Sequence, residues 1–148
     1  MGCRSIATTL TALQNVHAAI SGIKSAPTAI PSNLSTAVLP IVLVWPGPAD
    51  WQLAAMGLKR QEREYIVRCF VQPVGQDVAG PDRGYQQCVT LLELFGQAYQ
   101  DDPSLADSVD QLRTVSDSGV SGGGFELLWG QTPYWGFVYR VTVVEKGS

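Results

Sequence analysis

The chain is poor in the residues that most enzymes recruit for chemistry. Its 148 residues include one histidine and three cysteines. The histidine, His17, lies at helical spacing from Leu13 and Ile20. A lone imidazole on such a stripe is more often a packed, hydrogen-bonded side chain than a base or a ligand. Cys3, Cys69 and Cys88 form no CxxC pair, and no Cys/His/carboxylate cluster has metal-ligand spacing, so neither a metal nor a cofactor is expected. Cys69 falls in an apolar strand pattern and Cys88 on a helix face, which reads as two small buried hydrophobes beside one free thiol. That usage suits a reducing compartment. Long apolar runs are also missing. No stretch approaches the roughly 20 residues a membrane helix needs, and residues 1–5 lead into a Thr/Ala-rich segment rather than a compact signal core. Neither a membrane partner nor an export signal is expected. Finally, there is no clean basic cluster. Net charge is −3, and the densest basic stretch, Lys59-Arg60-Gln61-Glu62-Arg63-Glu64, carries its own glutamates. Electrostatic binding to nucleic acid is therefore disfavoured, except for DNA that merely passes through a channel.

The remaining candidates for chemistry have weak support. A Ser-His-Asp triad would have to use His17, which has no strand-to-helix nucleophile elbow nearby. Pairing Cys69 or Cys88 with His17 would require a reactive thiol where the pattern places a core one. Asp101-Asp102, Asp107/Asp110 and Glu62/Glu64 lie at a helix end, on a polar helical face and in a charge-mixed segment, where carboxylates are solvated rather than tuned. Gly122-Gly123-Gly124 lacks the following Lys-Ser/Thr and helix that a phosphate loop needs, so it reads as a flexible break. The expectation is a protein that is not an enzyme.

What the chain does have is enough apolar content, 45%, for one domain spanning residues 1–148. Ile6, Leu10, Leu13, Val16 or His17, Ile20 and Ile23 recur at three- and four-residue steps, which predicts a helix with Ser5 as N-cap and a weak point at Gly22. Ala37 to Trp45 predicts a buried strand, with Pro40 at its start or on an edge. A second strand is expected over Arg63 to Gln72, and a long connection, Pro46 to Glu62, separates the two. Asp82 to Tyr99 predicts a helix with Tyr85, Cys88 or Val89, Leu92, Phe95 and Tyr99 inward. A short helix should follow near Leu105–Leu112, then strands over Leu112–Val120, Phe125–Trp129 and Tyr134–Glu145. Together these imply an α+β fold, a mainly antiparallel sheet with both helices on one face and a long β-hairpin-like loop between the first two strands.

Two features suggest a partner. The loop carries Trp45, Trp51, Leu53, Met56 and Leu58, followed by Lys59, Arg60 and Arg63, and such residue types are enriched at protein interfaces. Composition fits equally well a loop folded back over the sheet end with its tryptophans in the core. The second feature is the aromatic run Trp129, Tyr134, Trp135, Phe137 and Tyr139. Alternation puts Trp135, Phe137 and Tyr139 on one face and leaves Tyr134 and Trp129 as candidate subunit contacts.

The element order, with Leu39-Pro40-Ile41-Val42, the Pro46–Glu62 excursion, the Tyr85–Tyr99 helix and the strand Tyr134-Trp135-Gly136-Phe137-Val138-Tyr139, resembles the tail terminator and related neck proteins of long-tailed bacteriophages. The resemblance covers most of the chain and rests on element order and a loose aromatic-Gly-aromatic motif. It implies a homo-hexameric ring, assembled in the host cytoplasm and carried in the virion. Such a ring would cap the tail tube, meet a head-side connector or stopper protein, and let DNA through its lumen. The rivals are another neck component, a small α+β enzyme or ligand-binding domain, and a secretion-machine part on the same scaffold.

Overall fold

In the computed structural model, which describes residues 6–53, 59–74, 81–101, 111–116 and 126–147, two helices pack on one face of an antiparallel sheet. This is the expected α+β arrangement. The first helix, α1, runs Ile6–Ala18 and buries Thr9, Leu13, Gln14 and His17, a stripe more polar than anticipated, with Ile6 at 38% exposure. It ends four residues before Gly22. The chain then tightens through Ala19, Ile20 and Ile23 amides donating to the Val16, His17 and Ile20 carbonyls, the i→i−3 pattern that satisfies a helix end. Gly22 itself sits at φ 96°, a conformation glycine adopts without penalty. After a single 3-10 turn at Thr36–Val38 and a cis Leu39–Pro40 bond, the chain enters β1, Ile41–Leu53.

The anticipated loop is mostly strand. β1 continues to Leu53 and β2, Lys59–Pro73, begins at Lys59, so the two pair through most of the segment expected to connect them. The composition misled because Pro46-Gly47-Pro48 looks like a terminator. The pair instead absorbs it in a register shift between Pro46 and Ala49, beyond which pairing resumes. The second helix, α2, spans Pro81–Asp101, followed by β3 (Gln111–Ser116), β4 (Glu126–Trp129) and β5 (Thr132–Gly147). The expected short helix near Leu105, most of its flanks, and Gly122-Gly123-Gly124 lie outside the described residues.

The strand order is β1-β2-β5-β3, with β4 also on β5. The last strand therefore returns between β2 and β3 rather than pairing only with its sequence neighbour. Its C-terminal half pairs β3, its N-terminal end pairs β4 through a hairpin turned at Gly130 (φ 61°), and β2 runs along its other side.

Because side chains alternate along a strand, this register sorts the sheet into two apolar faces. Val42, Cys69 and Phe137 align across three strands, as do Val44, Val67 and Tyr139. These residues face Leu13 and Ile20 near α1 and Cys88, Leu91, Phe95 and Tyr99 of α2. On α2 the inward stripe includes Gly84 rather than Tyr85, which is 53% exposed. The reason is steric: a Cβ at Gly84 would meet the Trp135 indole at 2.5 Å, so the helix can approach the sheet there only as glycine. The opposite face holds a second cluster of Leu39, Ile41, Leu43, Phe70 and Tyr134, flanked by Leu34, Val38, Trp45, Leu127 and Trp129. Where β2 and β5 shift register between Phe70 and Gln72, Gly136 lies so near the Cys69 carbonyl that any Cβ would collide with it. The aromatic-Gly-aromatic motif thus has a packing cause.

Candidate functional site

The sole histidine is part of a closed polar network inside the helix-covered core. Gln14 and His17 are one turn apart on α1 and both buried. The Gln14 Nε2 donates to the Pro27 carbonyl at 2.6 Å and to the Val42 carbonyl at 2.9 Å. With both amide protons used, Gln14 Oε1 can only accept, and it lies 2.8 Å from His17 Nδ1. The proton is therefore on Nδ1. His17 Nε2 is left bare to accept from the Tyr99 hydroxyl at 2.7 Å. The imidazole stacks on Phe95 at 5.2 Å. Desolvation holds its pKa down at about 3, and burial holds the Tyr99 phenol well above the usual range. A neutral imidazole with both nitrogens engaged and no exposed surface ties α1 to α2 and β1. Its Nδ1 proton is committed to Gln14 and its bare Nε2 to the Tyr99 hydroxyl. The reading of His17 as a packed residue holds. Sequence reasoning missed its partners, although a glutamine three residues before a histidine on a buried stripe is a readable signal.

The cysteines are similarly placed. Cys69 and Cys88 are free and buried. Burial pushes the Cys88 thiol up to about 12 and Cys69 well above its ordinary value, which suppresses the thiolate that nucleophilic chemistry needs. Among the described residues no group of three His, Cys, Asp or Glu side chains is placed to hold a metal ion, and no helix is long and apolar enough to cross a membrane.

The residues proposed for partner contact divide into four groups. Trp51, Lys59 and Arg60 lie on the paired strands of the β1–β2 hairpin, with Trp51 opposite Gln61 and Lys59 opposite both Leu53 and Gly147. Met56 lies outside the described residues. Trp45 and Arg63 have local structural roles. The Arg68 guanidinium sits 4.7 Å from the Trp45 ring centre, and the Arg63 Nη1 donates to the Gly47 carbonyl at 2.8 Å, bracing the strand where its register shifts. Trp129 and Tyr134 belong to the second core cluster. Trp129 is half-buried, edge-on to Phe70 at 5.6 Å. Tyr134 is a correction. At 6% exposure and packed edge-on to Phe70 at 5.7 Å, it is a core residue and not a surface contact. Alternation correctly put it opposite Trp135, but that face carries its own apolar layer.

Compared with known proteins, the chain matches no protein-family model and no curated sequence.

Proposed function

We propose that this protein is a structural component of a phage-like assembly, a ring-forming tail terminator that caps a tail tube and joins it to a head-side connector, and that it has no enzymatic role. The observation that carries this reading is the hairpin. Pairing of β1, β2 and β5 continues six residues beyond Tyr65, to Leu53, Lys59 and Gly147, about 20 Å of extra sheet at roughly 3.3 Å per residue. A long strand pair of this kind, whose sequence includes Trp51, Lys59 and Arg60, extends the sheet along the edge strand β1, where a neighbouring subunit can pair. The interior supports the same reading, because its only imidazole and both described thiols are committed to packing.

In this mechanism the ring reproduces the end surface of the tube on one side and lacks it on the other, so that it docks where the next tube ring would and growth stops. A heterologous interface that closes on itself makes such a ring. Light scattering in the presence of purified tail tubes tests it. The expected result is six copies of the 15.9 kDa chain, about 95 kDa, attached to tube ends. Replacing Trp51 and Met56 together by Ser should abolish attachment while leaving the circular dichroism unchanged. Attachment to DNA-filled heads in preference to tubes would replace the terminator with another neck component. A monomer that ignores both, even at high concentration, would end the assembly reading.

A further inference from the structure

The two edges of the sheet complement each other. Along the path β1-β2-β5-β3 every neighbouring pair is antiparallel, so β1 and β3, at the two ends, run in opposite directions. Apart from one isolated bridge between Ser25 and Ile41, neither edge has a strand partner on its outer side among the described residues. An open edge is a row of unused backbone donors and acceptors, which folded proteins ordinarily shield.

On β1 the shielding covers the first half. The Val42 amide donates to the Ser25 carbonyl at 3.0 Å, and the Val42 carbonyl accepts from Gln14 Nε2 at 2.9 Å, so both groups point away from β2. Pro46, four residues on and in the same phase, has no N–H to offer. Bonding direction alternates along an antiparallel strand. Val42 lies opposite Cys69, so Cys69, and with it Arg63, Gln61 and Lys59, bond towards β5 rather than β1. Past the register shift these three lie opposite Ala49, Trp51 and Leu53, whose backbone groups are therefore the outward ones. The same alternation carried across β5 leaves Leu112, Thr114 and Ser116 as the outward positions of β3. Both sets occupy register positions on the helix-covered side of the sheet, in line with Arg63 and Tyr65 on β2 and with Val141 and Val143 on β5.

We propose that copies of this chain join edge to edge, with residues 49–53 of β1 in one copy adding antiparallel to residues 112–116 of β3 in the next. The inference rests on the assembly reading and names the contact that makes the ring. Direction, bonding phase and length agree: Ala49 falls opposite Ser116, Trp51 opposite Thr114 and Leu53 opposite Leu112 of the neighbour, giving about six backbone hydrogen bonds per contact. Because the paired positions share the helix-covered side, the joined sheets keep all their helices on one side. The two edges differ, so each copy makes the contact twice, once through β1 and once through β3. Such a heterologous contact closes into a ring when its rotation allows.

The test uses two full-length variants at a concentration where the native chain is a ring by light scattering. Ala49→Pro removes an outward N–H of β1 and Thr114→Pro one of β3, and neither N–H serves pairing inside the chain. Each variant should keep its melting transition and need at least about tenfold more protein to form the ring. Mixed one to one they should form dimers of about 32 kDa, because the first retains a good β3 edge and the second a good β1 edge. Dimers of Thr114→Pro alone would mean that β1 pairs with another β1, and would overturn the proposal. Full ring formation by either variant would also overturn it, while leaving the assembly reading standing on another interface. Where the ring forms only on tail tubes, or a proline variant loses its melting transition, cysteine cross-linking reads the same pairing. Gln52→Cys and Arg113→Cys fall opposite each other in this register, so glutathione disulfide should link them only when the two chains are combined. No link, or one with Gln52→Cys alone, overturns the proposal. A native chain that forms no ring, alone or on tubes, removes the assembly reading and this inference together.

Discussion

Acid should destabilise this protein through one residue. In the unfolded chain His17 titrates near its ordinary 6.5, whereas in the fold it stays neutral down to about pH 3. The folded pKa is the lower one, so the contribution of neutral His17 is fully present above pH 6.5 and is lost as pH falls from there towards 3. Each unit of pKa difference corresponds to about 1.4 kcal/mol once the pH has passed below both values. Between pH 7 and pH 5 the unfolded chain takes up about three-quarters of a proton at this site and the folded chain almost none, which removes about 2 kcal/mol of stability. With a urea m value of about 2 kcal/mol/M, the unfolding midpoint should drop by about 1 M from this residue alone. Comparing the native chain with His17→Gln at both pH values isolates the effect, because losses from carboxylates are common to the two. The variant should begin less stable at pH 7, having lost the Tyr99 and Gln14 bonds, yet fall by about 2 kcal/mol less on acidification. A direct readout needs no variant: the His17 Cε1 proton shift should stay flat down to pH 4.5. A folded-state titration near pH 6.5, or equal acid losses in the two proteins, would show that the network is open to water and that the Nδ1-protonated assignment is wrong.

Gly136→Ala should destabilise the fold by about 3 kcal/mol in urea titrations, since its Cβ would meet a backbone carbonyl that pairing holds in place. Gly84→Ala should shift the tryptophan emission and near-UV circular dichroism as Trp135 is displaced, at a lower cost because a side chain can yield where a carbonyl cannot. Cys69 and Cys88 should resist alkylation at pH 8 in the native protein and react within minutes in 6 M urea, as read by peptide mass mapping. Arg63→Ala should loosen the strand irregularity at Gly47, seen as faster amide exchange from Trp45 to Ala49 with little change in global stability.

The layered fold was legible because periodicity is a physical signature of burial. Val42, Val44, Tyr65, Val67, Phe137 and Tyr139 alternate for the same reason that they pack under α1 and α2. The sequence was misread where a local rule gave way to tertiary structure. Pro46-Gly47-Pro48 has the composition of a strand stop, yet pairing with β2 resumes at Ala49 and the Arg63 guanidinium holds the Gly47 carbonyl. Tyr134 was read as outward, because alternation tells which face a residue takes and not whether that face is covered. Here Leu39, Ile41, Leu43 and Phe70 cover it. Tyr85 lost its inward place to Gly84, since no pattern of hydrophobicity reports how closely a helix must approach an indole ring.

The site was less legible than the fold because its parts are brought together by topology. Gln14 and His17 lie on α1, Pro27 in the connection after it, Val42 on β1 and Tyr99 near the end of α2; each has an ordinary local explanation. They converge because the chain after α1 folds back along the start of β1, held by the Val42 amide on the Ser25 carbonyl and the Lys24 amide on the Pro40 carbonyl. The same connection is fixed from within by Gln14, which donates to Pro27 and Val42. The buried network around His17 is therefore more than core packing. It ties α1, the connection after it, β1 and α2 into one unit.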